Sequence, residues 1–81
     1  MSQPLTFFSE RIVIDPAICN GKPTVKGTRI TVQSVLEYLA AGDTEADILA
    51  HYPQLGVEDI QACVACAAHL MQSGYEVARA A

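Results

Sequence analysis

The sequence predicts a mainly α domain, in which a short N-terminal β hairpin is followed by three helices in helix-turn-helix order. Three observations predict it. A β-branched run, Ile12-Val13-Ile14, is stopped by Asp15-Pro16 and followed by a glycine- and proline-rich segment. Val32, Val35, Leu36, Leu39 and Ala40 then recur at helical spacing. Two further helical patterns follow, separated by the turn Pro53-Gln54-Leu55-Gly56.

The elements are read in chain order. Residues 1–10 show no period and are expected to form a flexible arm; residues 11–81 form the single domain. Arg11-Ile12-Val13-Ile14 reads as a strand, and Pro16 to Cys19 as one 3₁₀ turn. Asn20-Gly21 is a strong turn dipeptide. Pro23 lacks a backbone donor, so a strand through Thr24-Val25 must lie at an edge. Val25-Lys26-Gly27-Thr28 suits a tight turn with Gly27 at positive φ, after which Arg29-Ile30 pairs back. Gly21, Pro23 and Gly27 are thus the structural turn residues.

Helix one starts at a Thr31 cap and ends at Gly42 in a left-handed turn. Thr44 caps helix two, with Asp47 placed for a capping box; Ile48, Leu49 and Tyr52 form its apolar face, and Pro53 stops it. Helix three runs from about Val57 to Gln72, with Glu58 and Asp59 favourable in its first turn. Its apolar cluster is expected at Ile60, Val64, Ala67 and Met71, flanked by Cys63 and Leu70. From Ala62 to Ala68 there is no charge and no large side chain, so another backbone could approach closely. Ala62, Ala65 and Ala68 are the expected oligomer interface.

Composition supports that expectation. Apolar residues make up 51% of the 81, and the mean hydropathy is +0.23. So small a domain cannot bury that much alone, which predicts a second buried face and a homodimer. No apolar run approaches the roughly 20 residues of a membrane span. Met1 to Glu10 lacks the charge and apolar pattern of a signal peptide. Three cysteines, Cys19, Cys63 and Cys66, are too few and odd in number for a disulfide framework. A cytoplasmic location with reduced thiols follows as the expectation.

Net charge is −4 and unevenly spread. Residues 1–30 carry +2, from Arg11, Lys22, Lys26 and Arg29 against Glu10 and Asp15; residues 31–81 carry −6. The acidic body argues against general nucleic-acid affinity and suits a basic protein partner.

The segment Gly21–Arg29 concentrates two glycines, Pro23 and three cations, and could hold a phosphate or a carboxylate. Its spacing is not that of a Walker loop. Its plainer reading is a structural hairpin, with Arg29 paired to an acid such as Asp15. Cys63-x-x-Cys66 with His69 invites a metal reading, but mid-helix thiols in so apolar a segment read as small core packers; no metal and no cofactor is expected. His51 and His69 belong to no nucleophile–base–acid pattern, and no catalytic residue is assigned. For DNA, helix three offers only Gln61 as an adenine reader, beside the repelling Glu58 and Asp59. The contacts to nucleic acid or a partner are therefore expected from Arg11, Lys22, Lys26, Arg29 and Gln61.

The ordered motifs Ile12-Val13-Ile14, Asp15-Pro16, Cys19, Gly21-Lys22-Pro23, Gly27-Thr28-Arg29-Ile30, Tyr52-Pro53-Gln54-Leu55 and Asp59-Ile60-Gln61-Ala62 resemble the prokaryotic family catalogued as "domain of unknown function 433". The resemblance covers about residues 11–68. It implies a homeodomain-like three-helix fold. It also implies, for some members, an antitoxin role of VapB-like type: neutralising a PIN-like ribonuclease toxin encoded alongside and repressing the shared operon. The chain departs from the family at Asn20, where a second glycine is usual, and at Cys66, where helix three usually has tyrosine. Asn tolerates the same turn conformations as glycine. Two function classes follow: a dimeric antitoxin-like regulator that binds a toxin and its own promoter, or a module without DNA activity whose acidic body docks a basic partner.

Overall fold

The computed structural model describes residues 6, 7 and 9–73. Strands β1 (Thr6–Phe7), β2 (Ile12–Ile14) and β3 (Pro23–Val25) form an antiparallel sheet in that spatial order. Helices α1 (Val32–Ala40), α2 (Glu45–His51) and α3 (Val57–Ser73) follow. The chain is mainly helical, with a hairpin ahead of three helices, as its sequence predicts. One difference lies at the start. Thr6 and Phe7, inside the segment expected to be an arm, pair with Ile14 and Val13. An unpaired donor and acceptor row on β2 is what recruits them.

In the β2–β3 hairpin, Ile12 pairs with Val25, Val13 with Thr24 and Ile14 with Pro23. Pro23 occupies the edge strand, where its missing donor costs no ladder bond. The connection between the strands bends sharply at Cys19–Gly21, which contains the expected Asn20-Gly21 turn, whereas the 3₁₀ turn expected over Pro16 to Cys19 lies at Cys19–Gly21 instead. Cys19, Asn20 and Gly21 take φ of 51°, 58° and 80°. The Gly21 N–H donates to the Ile18 carbonyl and the Lys22 N–H to the Cys19 carbonyl, at 3.0 and 3.1 Å. The Cys19 thiol donates to the Arg29 carbonyl at 3.5 Å, tying this turn to the segment that leads into α1.

The turn after β3 forms where expected. The Thr28 N–H donates to the Val25 carbonyl at 3.0 Å, with Gly27 at φ 81°. The Val25 N–H donates to Ile30, which returns the chain alongside β3. The Thr31 hydroxyl then accepts the Ser34 N–H at 3.0 Å and caps α1. At the other end the Asp43 N–H reaches back to the Tyr38 carbonyl and Gly42 to Leu39, with Gly42 at φ 99°. That double closure satisfies the last carbonyls of the helix. Thr44 and Asp47 form a complete capping box at the start of α2.

The core lies where the hairpin meets the three helices. Ile12, Val25, Ile30, Val32, Val35, Ile48, Leu55, Ile60, Cys63 and Cys66 are buried together. Ile12, Ile48 and Ile60 are almost wholly inaccessible, so truncating one to Ala would cost about 2–5 kcal/mol. Thr24 is buried as well, and its hydroxyl donates to the Val13 carbonyl at 3.4 Å.

On α3 the buried stripe differs from the expected one. It is Ile60, Cys63 and Cys66, whereas Val64, Leu70 and Met71 are exposed. The two stripes differ by less than a quarter turn, and periodicity in a nearly all-apolar helix does not choose between them. α3 is also longer than its support, because burial along it stops at Ala67.

Candidate functional site

Three surfaces stand apart from the core. The first is the cationic hairpin. Lys22, Lys26 and Arg29 are all exposed around the turns that Gly21 and Gly27 make. Arg29 does not pair with Asp15, whose carboxylate instead accepts the Ala17 N–H at 2.9 Å. Arg11 is committed elsewhere: its Nη1 lies 3.1 Å from the Asp59 carboxylate at the start of α3. Gln61 is exposed on α3, one turn beyond Glu58, and stands beside acid rather than beside the lysines. The five residues expected to act together thus divide into a hairpin group and a pair of positions near the start of α3.

The second surface belongs to α3 and α1. Val57, Val64 and Met71, seven residues apart, are 38, 46 and 60% exposed. At 100° per residue they form one apolar seam. Of the alanines expected at an interface, Ala65 and Ala68 are exposed, but Ala62 is half buried and packs against the core. Beside the seam runs a groove of about 440 Å³. Val32, Leu36 and Ala40 of α1 and Ala67, Leu70 and Met71 of α3 line it, together with Pro23, Gln33 and Glu37. It forms because the last two turns of α3 project past the core while α1 remains alongside. The sequence reading did not find this groove. Its signal was the pair Leu70-Met71, which cannot both face the core of one short domain.

The third surface was also missed. Tyr38 of α1 and His51 and Tyr52 at the end of α2 meet as a cluster of three rings. The Tyr38 hydroxyl lies 2.7 Å from His51 Nε2. Ring centroids are 4.9 Å apart for Tyr38–His51, 5.8 Å for Tyr38–Tyr52 and 4.7 Å for His51–Tyr52. The last two pairs are edge-to-face, an arrangement that aromatic quadrupoles favour. A cavity of about 370 Å³ opens beside Tyr38 and Tyr52, lined also by Ser34, Glu37, Ala41 and Asp43. Burial, then the neighbouring Tyr52 and the Asp43 carboxylate, raises the Tyr38 phenol above its ordinary pKa.

Cys63 and Cys66 face the core, while His69 is exposed. Among the described residues no three His, Cys, Asp or Glu side chains gather to hold a metal ion. Burial, with Cys66 and Asp59 adding to it, pushes the Cys63 thiol up to about 12, and burial raises Cys66 too. A thiol so shifted is a poor metal ligand and a poor nucleophile at neutral pH. No described helix is long and apolar enough to cross a membrane.

An antiparallel hairpin feeding three helices, with exposed cations on the hairpin and apolar surface on α3, defines a small, mainly helical domain. The sequence model of the family described as "Protein of unknown function (DUF433)" matches residues 12–67, and the chain belongs to that family. The chain is similar to a crystal structure of a DUF433 member protein from Anabaena variabilis ATCC 29413, with 32% identity and a TM-score of 0.67. The likeness covers 78% of this chain and 59% of the Anabaena chain, so this chain spans only part of that protein's length. No curated protein matches the chain.

Proposed function

We propose that this chain is an antitoxin-like regulatory protein of helix-turn-helix type. It works as a cytoplasmic homodimer and is not an enzyme. It binds a partner protein, a PIN-like ribonuclease toxin, in the groove between α1 and α3. The observation that carries this reading is the groove itself: six apolar side chains of α1 and α3 line about 440 Å³ of open surface. Apolar surface gathered into a concave patch on a small domain marks a place for a partner. The test is co-expression with the product of the neighbouring ribonuclease reading frame, followed by size-exclusion chromatography with light scattering. A stable complex that Met71→Glu abolishes supports the reading. Met71 is largely exposed, so this variant keeps the fold. Failure of the wild-type proteins to associate removes the toxin partner and leaves the acidic body as a module for some other basic protein.

Promoter binding is the second reading, favoured by the exposure of Lys22, Lys26 and Arg29 on one hairpin. A two-fold dimer doubles that cationic patch. The start of α3, with Glu58 exposed beside Gln61, suits phosphate contact poorly, so backbone contact by the hairpin carries this reading. Fluorescence anisotropy against the upstream duplex and a scrambled duplex, at two salt concentrations, tests it. Preference for the upstream duplex at moderate salt supports a specific regulator. Equal binding that vanishes with salt rejects one.

A further inference from the structure

We propose that the cavity beside Tyr38 and Tyr52 is a receptor for a single arginine side chain of a protein partner. Besides Ser34 and Ala41, the cavity is lined by residues of two kinds: the aromatic Tyr38 and Tyr52 and the acidic Glu37 and Asp43. Among the described residues no lysine or arginine lines it. A guanidinium is the side chain that satisfies both kinds of wall. Its flat face stacks on an aromatic ring, and its edge donates to carboxylates. An ammonium is also drawn to a ring face, but it cannot stack flat on the ring while presenting a planar fork of donors to carboxylates, and an apolar side chain would cover two carboxylates without compensating them.

The rings are preorganised for this. His51 packs against both tyrosines and holds the Tyr38 hydroxyl at 2.7 Å, so neither ring needs to reorient when a ligand arrives. Asp43 follows Gly42 in the turn that closes α1, and its own N–H is fixed to the Tyr38 carbonyl at 3.0 Å. That bond places the acid beside the ring by backbone geometry rather than by chance of a long side chain.

The cavity is also positioned for a partner. Glu37 lines both this cavity and the apolar groove between α1 and α3. A segment seated in the groove therefore brings its neighbouring side chains to the mouth of the aromatic cavity. The inference rests in this respect on the protein-binding reading of the groove. It adds a specificity element: the partner must offer an arginine adjacent to its apolar anchor.

The test uses the whole chain and a terminally blocked Gly-Arg-Gly peptide, read by aromatic NMR shifts. The expected result is saturable shifts of the Tyr38 and Tyr52 ring signals, absent with the uncharged citrulline peptide. Asp43→Asn should weaken binding about three- to fivefold, and Tyr52→Leu by a similar factor through loss of the ring. Glu58→Gln, which removes an exposed acid outside the cavity, should leave affinity within about twofold. Far-UV circular dichroism of each variant confirms that the helices persist, and Asp43→Asn alone carries the test if Tyr52→Leu unfolds. Equal shifts with citrulline would overturn the proposal. So would a loss for Glu58→Gln as large as for Asp43→Asn, since binding would then follow the general acidic field. Met71→Glu, which lies on the groove and the α3 seam but outside the aromatic cavity, should leave peptide binding intact while abolishing toxin binding, so the two readings fail separately.

Discussion

Arg11 and Asp59 join the two halves of the domain, with Nη1 of the first 3.1 Å from Oδ1 of the second across 48 residues of sequence. The other oxygen of the same carboxylate accepts the N–H of Gly56, the residue immediately before α3, at 2.9 Å. Asp59 thus caps the helix and anchors the base of the hairpin to it. The two contacts are unequal. The Arg11 side chain is 48% exposed and Asp59 14%, so solvent screens the ion pair while the cap is sheltered. Asp59→Ala should cost about 1 kcal/mol, mostly from the lost cap. Arg11→Ala should cost below about 0.5 kcal/mol. Urea unfolding of both variants measures the difference. Equal costs would mean that the ion pair, not the cap, dominates.

The three thiols should separate by environment. Cys63 and Cys66 are buried, and Cys19 is partly exposed in the left-handed turn. In native protein at pH 8, a thiol reagent should modify one cysteine, Cys19, and the other two only after unfolding. With its pKa pushed to about 12, Cys63 carries little thiolate there. The linkage has a definite sign. A raised folded pKa means that the unfolded chain releases its proton first, so the thiol's stabilising contribution is whole below the unfolded pKa. It disappears as pH rises through about 12, and unfolding midpoints should fall across that alkaline window. Rapid modification of three thiols in the native state would contradict the burial.

Gly27 offers a substitution whose cost is backbone alone. A Cβ there would meet nothing within 4 Å, yet φ is +81°. Gly27→Ala should therefore destabilise by about 1 kcal/mol through left-handed strain, with no loss of packing. Gly27→Asn should recover part of it, because Asn tolerates that region. Thermal melts of the two variants decide; identical losses would point to a side-chain clash instead.

Much of this turn and cap chemistry was legible in the sequence because each signal is local. Gly27, Gly42, the Thr31 cap and the Thr44–Asp47 box rest on residues within four positions of one another. The strand at Ile12–Ile14 and the edge position of Pro23 follow likewise from composition and a missing donor. What was not legible is non-local. Arg11 finds Asp59 rather than leaving Arg29 to find Asp15, because the hairpin base packs on the start of α3, and no short-range pattern encodes that approach. The Tyr38, His51 and Tyr52 rings meet only because the α1–α2 turn folds one helix end onto the other. On α3, apolar residues on nearly every side left the buried stripe undetermined until the neighbouring elements fixed it as Ile60, Cys63 and Cys66.

That same stripe sharpens the expectation for assembly. Ala62 packs against the subunit's own core, whereas Ala65 is exposed on the side of α3 away from it. Two glutamate substitutions three residues apart should therefore behave differently. Ala62→Glu forces a charge toward the core that Ala62 packs on and should reduce folding itself, seen as lost helicity and a lowered melting temperature. Ala65→Glu should leave the helical spectrum unchanged, because Ala65 is exposed, and should halve the mass measured by light scattering when the proposed dimer uses this face of α3. Val64→Glu, on the exposed apolar seam with Val57 and Met71, should act like Ala65→Glu. A dimer that survives both Ala65→Glu and Val64→Glu would exclude this face of α3 from the interface and move the search to the groove beside α1.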